Sequence, residues 1–169
     1  MSLDDELSDL LIISLEQAVA APYCGLLLAS AGARVIKVER PEGDFARSYD
    51  NSINGKSAIF AWLNRGKESI SLNLKNKTDK KIFKNMLKKA DVFLSNLTPG
   101  SLEKLELDYK QVKSLNPKLI FCEITGYGNS KLAHSKKAYD FLIQAESGLC
   151  SVTGTEKYPS KVGISITDL

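Results

Sequence analysis

The sequence predicts an α/β fold in which helices cover both faces of an open, mostly parallel sheet. Three observations lead to this prediction. Short apolar runs at residues 10–14, 34–38 and 119–125 have the length and composition of buried strands. Helical patterns separate these runs, and strands that alternate with helices are typical of parallel sheets. A chain of 169 residues with 43% hydrophobic and 25% charged residues can form one globular domain with a sizeable core.

The N-terminal part of the chain has the pattern of a strand–helix–strand unit. The run LLIIS at 10–14 predicts the first strand, and RVIKV at 34–38 predicts the second. Pro22 suits the first turn of a helix and Gly32 suits its end, so a helix falls between the two strands. We expect a right-handed crossover connection, as in nearly all such units.

The rest of the chain continues this alternation. Turn-forming residues at 39–57 predict a long loop of the kind that is usually functional. The clearest helical pattern covers 78–90, with Thr78 as its N-cap and an apolar face that includes Ile82. Other patterns predict helices at 58–64, 109–115 and 140–147, strands at 69–74, 91–96 and 161–167, and loops at 126–137 and 148–159. We expect the loops at 14–22, 39–57, 96–100, 125–139 and after 167 to form the binding face, because ligands bind beyond the carboxyl ends of parallel strands.

Composition and motifs exclude several classes of protein. The net charge is only +3, and the lysine-rich helix has no interleaved aromatic residues, so both features argue against a nucleic-acid partner. Three cysteines and a single histidine, His134, without a CxxC spacing, predict neither a disulfide framework nor a metal site. The apolar runs are much shorter than the roughly 20 residues that span a bilayer, so we expect a cytoplasmic protein without a membrane partner. GxGxxG, a complete P-loop and GxSxG are all missing, which argues against a dehydrogenase, a kinase or an esterase.

Seven segments along the chain form a recognisable ordered set: 17–22 (QAVAAP), 32–44 (GARVIKVERPEGD), 64–75 (NRGKESISLNLK), 90–100, 115–120 (LNPKLI), 125–128 (TGYG) and 138–154. Taken in order, these segments resemble the family III CoA-transferases, the group of formyl-CoA transferase and carnitine-CoA transferase. Each segment is weak by itself, but their order and spacing cover nearly the whole chain.

The resemblance implies a nucleotide-binding-like large domain that holds coenzyme A, and a catalytic aspartate that matches Asp168. In this family the aspartate attacks the thioester of a donor acyl-CoA and forms a mixed anhydride and free CoA thiolate. The thiolate then forms an aspartyl-CoA thioester, and an incoming carboxylic acid finally receives the CoA. Such a carboxylate must be ionised and desolvated, beside amides that hold the developing oxyanion.

The resemblance also implies which residues contact the cofactor, coenzyme A or acyl-CoA. Carried over position by position, these residues are Val19, Ala20, Arg40, Leu72, Asn73, Leu74, Lys75, Asn96, Leu97, Thr98, Lys104, Lys137, Ala138, Tyr139 and Asp140. The cations among them suit the negative charges of the CoA nucleotide. Lys104 stands where the family has an arginine, and Val19 stands where formyl-CoA transferase has a glutamine. Tyr139 replaces the histidine of the racemase branch, which favours CoA transfer over epimerisation.

Length is the largest departure from the family, whose members are more than twice as long. We expect residues 1–169 to form the N-terminal part of the CoA-binding large domain, with the small domain and the C-terminal return segment absent. The family pattern implies a homodimer in the full-length parent and, for a split enzyme, a separate C-terminal polypeptide. The open alternatives are a non-catalytic remnant, half of a split enzyme, an acyl-CoA racemase, and a CoA-binding module without chemistry. We also expect the isolated chain to oligomerise, or to be poorly soluble, through exposed apolar surface.

Overall fold

The structure is a computed structural model that describes residues 6–128, 130 and 136–169. The chain divides into two compact units, Met1–Ile124 and Thr125–Leu169. His134 lies outside the described residues.

The first unit is built on a five-stranded sheet whose strands are all parallel. Its strands are β1 (Leu11–Leu15), β2 (Arg34–Glu39), β3 (Glu68–Ser71), β4 (Val92–Ser95) and β5 (Ile120–Glu123). Its helices are α1 (Ala20–Ser30), α2 (Ala58–Leu63), α3 (Lys77–Leu87), α4 (Ser101–Lys104) and α5 (Tyr109–Leu115). The strand order is β3-β2-β1-β4-β5, so β1 is central and the order reverses between β1 and β4. The predicted α/β fold with a parallel sheet is therefore confirmed.

Two apolar clusters, one on each face of the sheet, form the core. Because side chains alternate along a strand, Ile13 packs with Phe83 of α3 and Val112 of α5, whereas Ile12 packs with Ala21 of α1. Helices thus cover both faces of the sheet. The continuous apolar run of β1 is explained by this burial on both sides.

Several predicted element boundaries in the first unit were wrong. Helix α3 is capped by Asn76, whose side chain accepts the Thr78 N–H at 2.8 Å, and not by Thr78 itself. Ile82, assigned to the apolar face of this helix, is 42% exposed because only Phe83 and Leu87 point fully into the core. Strand β3 ends at Ser71, and the predicted loop 39–57 contains a 3₁₀ helix at Phe45–Ser48.

The described part of the second unit contains two helices, a short hairpin and a tail that is hydrogen-bonded to the first of the helices. The helices are α6 (Asp140–Glu146) and α7 (Leu149–Val152), and the antiparallel hairpin is β6 (Gly154–Thr155) with β7 (Tyr158–Pro159). Helix α7 and the hairpin replace the predicted loop at 148–159. The strand predicted at 161–167 is absent from this described segment, because side chains of α6 take the backbone hydrogen bonds that a strand partner would take.

Candidate functional site

The strand order reverses between β1 and β4, and at the carboxyl edge of the sheet this reversal marks the position of a crevice. Loops that follow these two strands turn in opposite directions there, and open α/β sheets bind ligands at this position. Residues 16–19 follow β1, and Asn96, Leu97 and Thr98 follow β4. Val19 and Ala20, both half-buried, lie where the turn enters α1.

Hydrogen bonds join the two loops at this position. The Gln17 N–H donates to Asn96 Oδ1 at 2.9 Å, and Asn96 Nδ2 donates to the Gln17 carbonyl at 2.8 Å. Just before them, Ser95 Oγ donates to the Leu15 carbonyl at 3.0 Å. The Asn96 side chain thus continues the β1–β4 pairing by one residue and fixes the turn that contains Val19.

The other predicted contacts of the first unit come after β2, β3 and β4 in the chain, and those on the loops directly after a strand lie at this edge. Exposed Arg40 directly follows β2 and donates from Nε to the Gly43 carbonyl at 2.9 Å. It lines a cleft of about 280 Å³ with Glu39, Pro41, Glu42, Gly43, Arg47, Ser69 and Ser71. Lys104 is exposed at the end of α4.

The segment after β3 presents only alternate residues to the outside. Leu72 and Leu74 are buried in the core, at 6% and 7% exposure, so their side chains face away from any ligand. Asn73 and Lys75 are exposed, and the Lys75 N–H donates to Asn73 Oδ1 at 3.1 Å. Contact with a ligand at this segment would therefore come from Asn73, Lys75 and the backbone.

A network of buried charges lies beneath this edge, and the sequence patterns did not indicate it. Glu16, Lys37, Asp44 and Lys67 have side chains at most 1% exposed. Lys67 Nζ donates to Glu16 Oε1 at 2.6 Å, and Lys37 Nζ donates to Asp44 Oδ2 at 2.7 Å. Lys37 Nζ also lies 3.6 Å from Glu16 Oε1, so one carboxylate serves both cations. Polar residues at buried positions of the runs LIISLE and RVIKVE were the signal that could have revealed it.

A second ion pair lies at the wall of the cleft. The Arg47 guanidinium donates two hydrogen bonds, of 2.9 and 2.7 Å, to the Glu39 carboxylate, and Ser69 Oγ donates to the same carboxylate at 2.8 Å. Burial alone would raise the pKa of Glu39, but these donors and the Asp44 N–H outweigh it and lower the pKa to about 2. Glu39 is therefore a fixed negative charge that holds Arg47 beside the cleft.

The remaining predicted residues lie in the second unit, around the N-terminus of α6. Lys137, Ala138 and Tyr139 are exposed, whereas Asp140 is half-buried. Asp140 Oδ1 accepts both the N–H of Thr167, at 2.9 Å, and its Oγ1–H, at 2.8 Å. Asp140 therefore holds the residue immediately before Asp168.

Gln144, buried at 0% exposure, ties the same tail to α6. Its Nε2 donates to Asp140 Oδ2 at 2.7 Å and to the Ile164 carbonyl at 3.3 Å, and its Oε1 accepts the Val162 N–H at 2.8 Å. No motif for catalysis indicated this role of Gln144.

Asp168 is half-buried, and its N–H donates to the Ser165 carbonyl at 3.2 Å. Burial raises the pKa of the Asp168 carboxyl, and the nearby Asp140 carboxylate raises it further. The opposite holds for Asp140, where burial alone would raise the pKa but hydrogen bonds from Thr167 and Gln144 lower it. Of the two neighbouring carboxylates, Asp168 is thus the more basic group.

Neither a metal site nor a membrane span is found in the part of the chain that the structure describes. No group of three or more His, Cys, Asp and Glu residues there could hold a metal ion. Among the described helices, none is long and apolar enough to cross a bilayer.

Sequence comparison finds similarity to one enzyme family along the chain. The family model described as CoA-transferase family III matches residues 7–169. The chain is 41% identical over 164 residues to acetyl-CoA:oxalate CoA-transferase from Acetobacter aceti, covering 95% of this chain and 42% of that protein. It is 37% identical over 161 residues to human succinyl-CoA:glutarate CoA-transferase, covering 94% of this chain and 37% of that protein.

Comparison with solved structures finds similar folds. The chain is similar to a CAIB/BAIF family protein from Brucella suis, with a TM-score of 0.92 and 35% identity over 98% of this chain and 46% of that one. It is also similar to Rv3272 from Mycobacterium tuberculosis, with a TM-score of 0.87 and 32% identity over 96% of this chain and 46% of that one. The chain thus spans less than half the length of the relatives and structures it matches.

Proposed function

The chain belongs to CoA-transferase family III, and on that premise we propose that it takes part in the transfer of CoA from an acyl-CoA to a carboxylic acid. The observation that carries this proposal is the reversal of strand order between β1 and β4, which occurs at the very loops that the family motifs mark. The named relatives act on acetyl-CoA or succinyl-CoA and on small dicarboxylic acids. We propose the same broad class of substrates here, with a cytoplasmic location.

Coenzyme A would lie along the carboxyl edge of the first unit. Val19, Ala20 and the residues after β4 would contact it at the reversal point. Exposed Arg40, Lys75 and Lys104 follow β2, β3 and β4, and they supply positive charge for its phosphates and adenine end. Lys104 would act as a single point charge, because an ammonium cannot make the bidentate grip of a guanidinium. For the second unit, taken by itself, we propose Lys137, Ala138, Tyr139 and Asp140 as further residues that contact coenzyme A.

Asp168 would carry the acyl group during transfer. Its carboxylate attacks the thioester carbonyl of the donor, the C–S bond breaks, and a mixed anhydride and CoA thiolate form. The thiolate attacks the aspartyl carbonyl of the anhydride, which gives an aspartyl-CoA thioester and releases the donor acid. The acceptor carboxylate attacks this thioester, and the released thiolate then attacks the acceptor acyl carbonyl. The new acyl-CoA leaves and the Asp168 carboxylate is restored.

The surroundings of Asp168 support this role. A half-buried carboxylate with a raised pKa is poorly hydrated, and it therefore attacks a carbonyl more readily than a fully solvated one. The N–H and the Oγ1–H of Thr167 both donate to Asp140, which limits the positions that the next residue can take.

Binding of CoA to this chain is the first test. Titration calorimetry should show that Arg40→Met weakens CoA binding about tenfold, the order expected for one phosphate contact. If Arg40 faces the ribose phosphate, Arg40→Met should weaken the binding of dephospho-CoA less than it weakens the binding of CoA. Arg34→Met is the matched control, because Arg34 begins strand β2 at the opposite edge of the sheet. Absence of CoA binding, or equal losses in both variants, would contradict the proposed site.

Chemical trapping tests the proposed intermediate. Borohydride added during turnover with succinyl-CoA should reduce an aspartyl thioester and convert Asp168 to homoserine, which peptide mass spectrometry detects. Asp168→Asn is the control for labelling at this site. An unmodified Asp168 in a preparation that transfers CoA would contradict the covalent mechanism.

A second candidate is that residues 1–169 act as one part of a larger assembly, as the N-terminal portion of the large domain. The second unit exposes large apolar side chains, including Phe141 at 58%, Tyr158 at 75% and Val152 at 81%. We propose that the active enzyme is a homodimer of whole subunits. In it, these apolar side chains are covered by polypeptide that corresponds to the part of the relatives that this chain does not match. A separately expressed C-terminal half should then bind this chain and raise its activity, and a mixture that neither associates nor gains activity would argue against this arrangement.

A further inference from the structure

The turn between β1 and α1 contains a residue in an unusual backbone conformation. Ala18 has a φ of +63°, in the left-handed region. A residue with a Cβ adopts this region at a steric penalty, and such conformations persist only where the surroundings enforce them. The turn therefore requires an external constraint.

Asp44 supplies that constraint from the loop after β2. Its Oδ1 accepts the N–H of Ala18 at 3.2 Å and the N–H of Ala46 at 2.9 Å. The peptide group before Ala18 is fixed on the other side by the Asn96 amide. The strained residue is thus held between two side chains that are distant from it in sequence.

Asp44 is itself held rigidly. Its side chain is 1% exposed, Lys37 Nζ donates to its Oδ2 at 2.7 Å, and its own N–H donates to Glu39 Oε2 at 3.0 Å. A buried carboxylate with its cation and its backbone donors in place cannot move without leaving a charge unpaired. Its position therefore defines where the Ala18 N–H, and with it the turn, must lie.

We propose that Asp44 is a positioning residue that holds Ala18 in the left-handed conformation and thereby presents Val19 and Ala20 to coenzyme A. This inference rests on the proposed function, because it takes the turn as part of the CoA site. Asp44 touches neither the cofactor nor the reacting atoms in this role. Its effect passes through the backbone of Ala18 alone.

Substitutions at Asp44 and Ala18 test this coupling. Asp44→Ala should weaken CoA binding about tenfold, because the turn relaxes when its constraint is lost. Ala18→Gly should recover about half or more of that loss on a logarithmic scale, since glycine adopts the left-handed region without a steric penalty. In the unsubstituted chain the same Ala18→Gly change should leave CoA affinity within about twofold.

Asp50→Ala is the matched control within the same loop. Asp50 also accepts backbone N–H groups, from Ser52 and Ala58 at 2.9 Å each, but these donors lie outside the β1–α1 turn. Its loss should leave CoA affinity within about twofold, and Ala18→Gly should bring no recovery there. Equal effects at Asp44 and Asp50, or no recovery by Ala18→Gly, would overturn the inference.

Urea denaturation without ligand provides an independent measurement. Ala18→Gly should raise the unfolding midpoint less in the Asp44→Ala background than in the unsubstituted chain, because the relaxed turn no longer holds the strain that glycine would relieve, and equal shifts would contradict the coupling. If Asp44→Ala does not fold, Asp44→Ala combined with Lys37→Met serves in both comparisons, because the second change removes the cation that the first leaves buried without its partner. An unsubstituted chain that binds no CoA would refute the proposed function together with this inference. Binding without recovery would refute this inference only.

Discussion

Lys67 connects the buried charge network to the start of α1, and its removal should destabilise the protein strongly. Its Nζ donates to Glu16 Oε1 at 2.6 Å and to the Pro22 carbonyl at 2.7 Å, and both ionised side chains are at most 1% exposed. Lys67→Met keeps most of the side-chain volume and removes only the charge and its hydrogen bonds. The Glu16 carboxylate would then keep one cation, Lys37, at 3.6 Å.

The expected loss follows from the cost of leaving a buried charge uncompensated. Breaking a buried ion pair by removal of one partner typically costs about 3–5 kcal/mol. We expect a free-energy loss near the upper end of this range for two reasons. Lys37 already pairs with Asp44, and Glu16 Oε2 already lacks a hydrogen-bond partner among the described residues. Since domains of this size are stable by only about 5–15 kcal/mol, the change should be obvious in urea denaturation.

Two further variants decide whether the charge is responsible. Arg34→Met removes an exposed pair with Glu68, whose side chains are 62% and 55% exposed, and should leave the urea midpoint nearly unchanged. Adding Glu16→Gln to Lys67→Met removes the orphaned charge, so the double variant should be more stable than Lys67→Met alone. A cost of Lys67→Met no larger than that of Arg34→Met, or a further loss of stability when Glu16→Gln is added, would contradict the role of the buried charge.

Three further predictions concern packing, pH and the tail of the second unit. Gly25→Ala should lower the urea midpoint despite better helix propensity, because its Cβ would lie 2.9 Å from Glu16 Oε2; Gly163→Ala, with open space around it, should not. Burial alone would raise the pKa of Glu39, but hydrogen bonds hold it at about 2, against 4.5 ordinarily. The ionised form of Glu39 therefore stabilises the fold above about pH 4.5 and loses that effect as the pH falls towards 2. In Glu39→Gln, the free energy of unfolding, measured by denaturation, should therefore fall less steeply between these pH values than in the unsubstituted chain. Gln144→Met should cost about 1–3 kcal/mol, because it leaves the part-buried Val162 N–H and Ile164 carbonyl without their partner. Faster proteolysis of the tail should accompany this loss, whereas unchanged cleavage would argue against the role of Gln144.

The sheet could be predicted from the sequence because its signals are local. The run LLIIS is apolar throughout since β1 is covered on both faces, and helix α5 has the bounds 109–115 that its pattern and the following Asn116-Pro117 indicate. The order of the family motifs also marked the loops that follow β1 and β4. All of these features depend on residues close together in the chain.

The features that were missed depend on partners distant in sequence. The segment 161–167 alternates like a strand, but Gln144 and Asp140 take its backbone groups, and no local pattern reveals that competition. Lys37 lies within a strand run, where a lysine is usually expected at the surface. Its burial becomes predictable only once Asp44 and Glu16 are known to reach it.

Stability alone gives no reason for a charge network at this edge of the sheet. Well-packed apolar residues of similar size often stabilise a fold as much as a buried ion network, or more. Ion pairs differ from apolar contacts in being directional, and each one here joins separate segments. Lys67 joins Glu16 to α1, and Asp44 joins Lys37 to the N–H of Ala18. A network of this kind fixes the geometry of one turn, and that turn lies where the strand order reverses, so its position accounts for the network better than its contribution to stability does.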